Sequence, residues 1–125
     1  MPTPLRVLVG LCGVLFALQT LGWLFDPAGA AEGLGMPLLD GMGRSTQVGD
    51  FSAFFFALSA LILLGAIRQQ PHWLQAAALL LGGAALFRSV AWALHGADFA
   101  TRFIAIEALI AGLLLFAASK APRNA

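Results

Sequence analysis

The sequence predicts an all-α integral membrane protein: a bundle of four transmembrane helices with a short interfacial segment between the first and the second. Three observations predict it. Apolar residues make up 60% of the chain and charged residues only 10%, where soluble domains run near ~45–50% and ~25%. The mean hydropathy is +0.88. Apolar stretches of about 20 residues, the length a helix needs to cross a bilayer's hydrocarbon core, recur between clusters of proline, glycine and charge. Four such spans, at about 5–25, 45–67, 73–95 and 99–119, use nearly all of the 125 residues. A single transmembrane domain, 1–125, is therefore expected.

Span one runs from Leu5 to Phe25 and has no charge after Arg6. Asp26-Pro27 stops it, because the residue before a proline is pushed out of the helical region. A cleaved signal peptide is the competing reading, with Ala28-Gly29-Ala30 as its cleavage site. The apolar run is long for that role, at about 20 residues against 7–15, so a retained helix is expected. Asp26 to Gly43 is the one long connection. Gly29, Gly33, Gly35, Gly41, Gly43 and Pro37 break regular structure there, yet Leu34, Met36, Leu38, Leu39 and Met42 are apolar. A short interfacial helix or hairpin across the mouth of the bundle fits this pattern. An apolar loop resting on lipid headgroups fits it as well. Span two, from about Ser45 to Ile67, ends at Arg68, and the turn Gln69-Gln70-Pro71-His72 leads into span three, Trp73 to about His95. Gly96-Ala97-Asp98 is the next turn, with Asp98 placed to cap span four, Phe99 to Ser119.

An even number of spans puts both termini on one side with the turn between spans two and three. That side carries Arg6, Arg68, Lys120 and Arg123 and no acid. The opposite side carries Arg44 and Arg102 with Asp26, Glu32, Asp40 and Asp98. The positive-inside rule then places both termini in the cytoplasm. Trp23, Trp73 and Trp92 each fall near an expected membrane edge.

The residues that carry chemistry are the polar ones inside spans. Asp50 lies six residues past Arg44, Arg88 seven before His95, Glu107 nine past Asp98 and Gln19 six before Phe25. At 1.5 Å per residue these offsets put all four at ~9–13 Å from the same surface. Four helices thus each contribute one polar side chain at a similar depth. A lone charge at the helix centre costs ~2.5–3.5 kcal/mol on the insertion scale, so the side chains are expected to face inward and meet. Arg88 can offer its guanidinium fork to Asp50, to Glu107, or to both, while Gln19 fills remaining lone pairs. Two carboxylates around one arginine leave an acid in excess, and a proton shared there would make an acid/base pair of Asp50 and Glu107. Arg88, Trp92 and His95 stand at i, i+4 and i+7 on one face, so Trp92 and His95 are candidate binding residues beside Arg88. Arg44, His95 and Arg102 sit at helix ends, where they either lie at the interface or line the mouth of a site. The plain alternative for the whole cluster is a buried ion pair that only fixes helix register. The pairs Gly13 and Ala17, Ala78 and Gly82, and Ala108 and Gly112 suit close helix packing in lipid.

Several functions are excluded. His72 and His95 lie ~34 Å apart along one helix and cannot be the two axial ligands of one haem. No spacing resembles a zinc or di-iron site, no nucleophile–base pair appears, and the lone Cys12 excludes an internal disulfide. Gly33-Leu34-Gly35 follows no strand and is not a dinucleotide fingerprint. No cofactor and no nucleic acid partner is expected. The half of the bundle nearer the termini offers only Cys12, Ser59 and Gln75 as polar groups. That argues against a channel or proton pump.

Four stretches carry a resemblance: Leu24-Phe25-Asp26-Pro27; Leu34-Gly35-Met36-Pro37; Arg44 six before Asp50; and Leu86-Phe87-Arg88-Ser89 with Glu107-Ala108-Leu109. On these the whole chain resembles a family of small bacterial four-helix membrane proteins related to the DoxX-like group. Members of that family commonly show a glycine pair where this chain has Gly49-Asp50. The resemblance therefore favours Arg44, Arg88 and Glu107 over Asp50. It implies an environment of quinone-linked redox complexes and of membrane-partner assembly.

Two functions from different classes remain. One is a pocket that binds, or acts by acid/base chemistry on, a small apolar molecule such as a quinone, terpenoid or other lipid. Asp50 and Glu107 would be its acid and base, and Arg88, Gln19, Arg44, Trp92 and His95 its binding residues. The other is an accessory or assembly subunit of a membrane complex, with the polar cluster as structural glue. The expected partners are the lipid bilayer and either that small molecule or a membrane protein.

Overall fold

In the computed structural model, which describes residues 1–122, the chain is all-helical. The helices are α1 (Thr3–Phe25), α2 (Pro27–Gly33), α3 (Gly41–Arg68), α4 (Pro71–His95) and α5 (Thr101–Ser119). All but α2 are long and apolar enough to cross a membrane. Large apolar side chains such as Val7, Leu11, Leu18, Leu79, Leu94 and Leu109 lie on their outer faces. Such a surface is stable only in lipid, and the chain is a multi-pass membrane protein.

The bundle is built from two helix pairs. α1 packs on α3, and α4 packs on α5; contacts of α3 with α4 and of α1 with α5 join the pairs. The core sits at the end that carries both termini. Val9 of α1, Leu58 and Ile62 of α3, Leu74 and Ala77 of α4, and Leu114 and Ala117 of α5 are each 0% exposed. Between lipid-embedded helices, packing rather than the hydrophobic effect drives association, and small residues permit the closest approach. Gly13 and Gly65 show why. A Cβ on Gly13 would lie 2.7 Å from the Leu63 side chain, and one on Gly65 would run into Leu74. Arg6 fastens the same end: its Nε donates to the Ala66 carbonyl at 3.0 Å, satisfying one of the open carbonyls at the end of α3.

Toward the opposite end the pairs behave differently. The α1–α3 pair stays packed, with Phe16, Trp23 and Phe55 buried. On α4 no residue beyond Ala85 is buried, and on α5 none before Ala111. The two pairs therefore meet closely at the termini end and leave space between them at the other.

The long connection covers that open end. Asp26 leaves α1, and its Oδ1 accepts from the Gly29 amide at 3.2 Å to cap α2. Ala31 is fully buried, and Leu34, Met36 and Leu38 pack on the core. Gln47, 6% exposed, ties the strap down. Its Oε1 accepts from the Leu39 amide at 2.7 Å and its Nε2 donates to the Pro37 carbonyl at 3.1 Å. The connection is thus a short helix plus a pinned strap.

Three expectations need correction. α3 begins at Gly41, one turn before Ser45, and its 28 residues make a helix of ~42 Å against a hydrocarbon core of ~30 Å. Its first two turns carry Gln47, whose side chain bonds the segment that precedes the helix. Asp98 caps nothing: α5 starts at Thr101 after Ala100, with no side-chain cap bond. Trp23 is a core residue, 0% exposed, with its ring stacked on Phe51 at 4.9 Å between centroids. Its flat ring fills the α1–α3 seam instead of reaching an interface. Of the small pairs, Gly13 and Ala78 are buried, whereas Ala108 and Gly112 face outward. Arg123, counted among the cytoplasmic cations, lies outside the described residues.

Candidate intramembrane site

The space between the helix pairs is a cavity of about 850 Å³. Its walls come from all four long helices and from the strap. α1 contributes Leu15, Phe16 and Gln19; the strap contributes Leu34. α3 contributes Asp50, Phe51, Phe54 and Phe55. α4 supplies Leu81, Ala84, Phe87, Arg88 and Ala91, and α5 supplies Phe103, Ile106, Glu107 and Ile110. The lining is apolar with six phenylalanines, interrupted by four polar side chains.

Those four are Gln19, Asp50, Arg88 and Glu107, one from each long helix. They are not equivalent. Arg88 Nε donates to Glu107 Oε1 at 2.8 Å, joining α4 to α5. The pair is half-open, with side-chain exposures of 32% and 13%. The flat face of the Arg88 guanidinium lies over the Phe103 ring, 4.8 Å from its centroid, an arrangement that suits a delocalised cation. Asp50 does not share Arg88. Among the described residues the ion pairs are Arg88–Glu107 and Arg44–Asp40, and Asp50 faces the cavity without one. Gln19 likewise lines the wall with no hydrogen-bond partner of its own among the described residues. Similar depth brought the four to one cavity; the rotation of each helix about its own axis decides which of them touch.

Arg44, Trp92 and His95 stand elsewhere. Arg44 Nε donates to the Leu39 carbonyl at 2.8 Å and its Nη2 pairs with Asp40 at 3.1 Å, with side chains 51% and 99% exposed. It belongs to the start of α3, and such an exposed pair contributes at most ~1 kcal/mol. Trp92 is exposed and meets Phe99 edge to face at 5.2 Å. His95 forms the last turn of α4 and is exposed. Trp92 and His95 share the face of Arg88 but lie one and two turns nearer the end of α4, beyond the lining, which on this helix ends at Ala91. Arg102 rests on Phe103, 4.9 Å from the ring centroid, and is not part of the lining.

Leu34 and Gln47 are the residues that sequence reasoning did not single out. Leu34 brings the strap into the cavity wall. Gln47 holds the strap in place, and its signal was a lone amide one and a half turns into an apolar helix. Among the described residues no three His, Cys, Asp or Glu side chains gather as a metal site. Chemically the arrangement offers an apolar, aromatic chamber with one satisfied ion pair, one open carboxylate and one open amide. No protein-family model, characterised protein or solved structure matches the chain.

Proposed function

We propose that this protein is a small-molecule binding protein of the bacterial inner membrane. Both termini would face the cytoplasm and the cavity would lie in the outer leaflet's half of the membrane. The ligand is a small, largely apolar molecule of lipid character, a quinone or terpenoid among the candidates, with its polar group set against Asp50, Arg88 and Glu107. The observation that carries this reading is the cavity itself. A volume of about 850 Å³ falls in the range of ~300–1,000 Å³ typical of ligand pockets, with an apolar lining and a few convergent polar groups. Ionisable groups inside a membrane are costly and are retained where they do something. Arg88 is held by Glu107 and Phe103, so its remaining guanidinium hydrogens can meet a ligand without reorganisation. If the bound molecule is also transformed, Asp50 is the base that takes a proton from it and, once protonated, the acid that gives it back, while Glu107 stays paired with Arg88.

The Arg88–Glu107 bond, which closes α4 on α5, also fits the second reading, an assembly subunit whose ion pair fixes helix register. One experiment separates them. The protein is extracted from its own membrane in native nanodiscs and analysed by native mass spectrometry. The pocket reading expects the chain alone with a bound small molecule, lost from Glu107→Gln although that variant still inserts and folds. A stoichiometric protein partner, or retention of the molecule by Glu107→Gln, contradicts it.

A further inference from the structure

The polar side chains of the cavity do not balance. Asp50 and Glu107 are both acids, and among the described residues Arg88 is the only cation in the lining. Glu107 takes the Arg88 bond at 2.8 Å, which leaves Asp50 as an acid facing the cavity without a counter-charge. Arg102, outside the lining, rests on Phe103, and Arg44 is held by Asp40 and Leu39. An acid kept inside a membrane helix without a partner is expensive, and the cost falls when an opposite charge arrives with the ligand. The rest of the wall favours the same charge. Asp50 is exposed on the open side of the cavity; Phe51, Phe54 and Phe55 follow it along α3, and Phe16, Phe87 and Phe103 continue the lining from the other three helices. Aromatic faces carry negative charge density and attract cations, most strongly where water is excluded. Phe103 already demonstrates this by holding two guanidinium groups, at 4.8 and 4.9 Å.

We infer that the ligand is an amphipathic organic cation: an apolar, partly aromatic body with a protonated amine or quaternary centre that pairs with Asp50. This rests on the pocket reading and specifies the chemistry of its ligand. Arg88 and Glu107 then neutralise each other and shape the wall, while Asp50 selects charge.

Tetraphenylphosphonium, tetraphenylborate and tetraphenylmethane have one shape and three charges, so they read charge selection directly. Binding of tritiated tetraphenylphosphonium is measured on the full chain purified in detergent, with empty micelles subtracted and tetraphenylmethane as competitor; tetraphenylborate, which would pair with the cation in solution, is assayed for binding on its own. Saturable binding of the cation is expected. Tetraphenylmethane should not displace it at matched concentration, and tetraphenylborate should not bind saturably. Asp50→Asn should weaken binding of the cation by about tenfold or more, the effect of losing one contact to a charged group. Asp50→Glu should keep most of the affinity, and matching circular dichroism of the variants shows that they fold alike. Equal competition by tetraphenylmethane, or equally tight saturable binding of tetraphenylborate, overturns the charge assignment while leaving the cavity reading intact, as does unchanged affinity in Asp50→Asn. Absence of saturable binding of the cation also overturns it. The native mass spectra of the wild-type protein then decide the cavity reading separately.

Discussion

Arg88 and Glu107 show how one bond decides the worth of two costly residues. Each alone in lipid would oppose insertion; joined at 2.8 Å and open to the cavity, they are tolerated. Glu107→Leu strands the guanidinium and should cost about 2–3 kcal/mol of stability. The double variant Arg88→Met/Glu107→Leu should be less destabilised than Glu107→Leu alone, because no charge is left without a partner. Reversible unfolding in mixed micelles measures these two and Arg88→Met alone, and simple addition of the two single effects would show that the side chains are uncoupled. The depth of these residues was legible in the sequence, since depth follows from counting along a helix. Their partners were not. Asp50 and Glu107 were equal candidates for Arg88, and the choice depends on helix rotation and side-chain reach, which no spacing encodes. Arg44 lies outside the lining for a related reason: its guanidinium is taken up by the Leu39 carbonyl and by Asp40.

At the scale of elements, the four spans were legible because lipid imposes length and apolarity on any helix that crosses it. The connection was legible only in outline. Its apolar residues announced that it packs on something, but its anchor is Gln47, a residue on another element. Gln47→Leu leaves the Leu39 amide and the Pro37 carbonyl without partners, at ~1–3 kcal/mol for each group that stays buried. The strap from 34 to 40 should then open locally. Hydrogen exchange in a peptide covering that strap should accelerate by about tenfold or more, with α4 and α5 unaffected. Unchanged exchange would mean that Leu34, Met36 and Leu38 alone hold the strap. Trp23 illustrates the opposite limit. Its place near a helix end suggested an interface, but a ring stacked on Phe51 and 0% exposed is decided by what the neighbouring helix presents.

For the whole molecule, the division into a packed end and an open end explains why the polar residues lie where they do. Small residues at Gly13, Gly65, Ala77, Ala78 and Ala117 draw the helices together near the termini. Bulky phenylalanines and the four polar side chains hold the pairs apart near the strap. The sequence pattern carried this division as a nearly nonpolar half and a polar half, but not the volume between the pairs. That volume is the account's central claim, and filling it is the most direct test. Ala84 lies in the cavity wall, whereas Ala93, on the same helix, is exposed and outside the lining. Native mass spectrometry should show a small molecule bound to the wild-type protein and to Ala93→Trp, and none on Ala84→Trp, with all three chains equally helical. A molecule retained by Ala84→Trp would contradict the account.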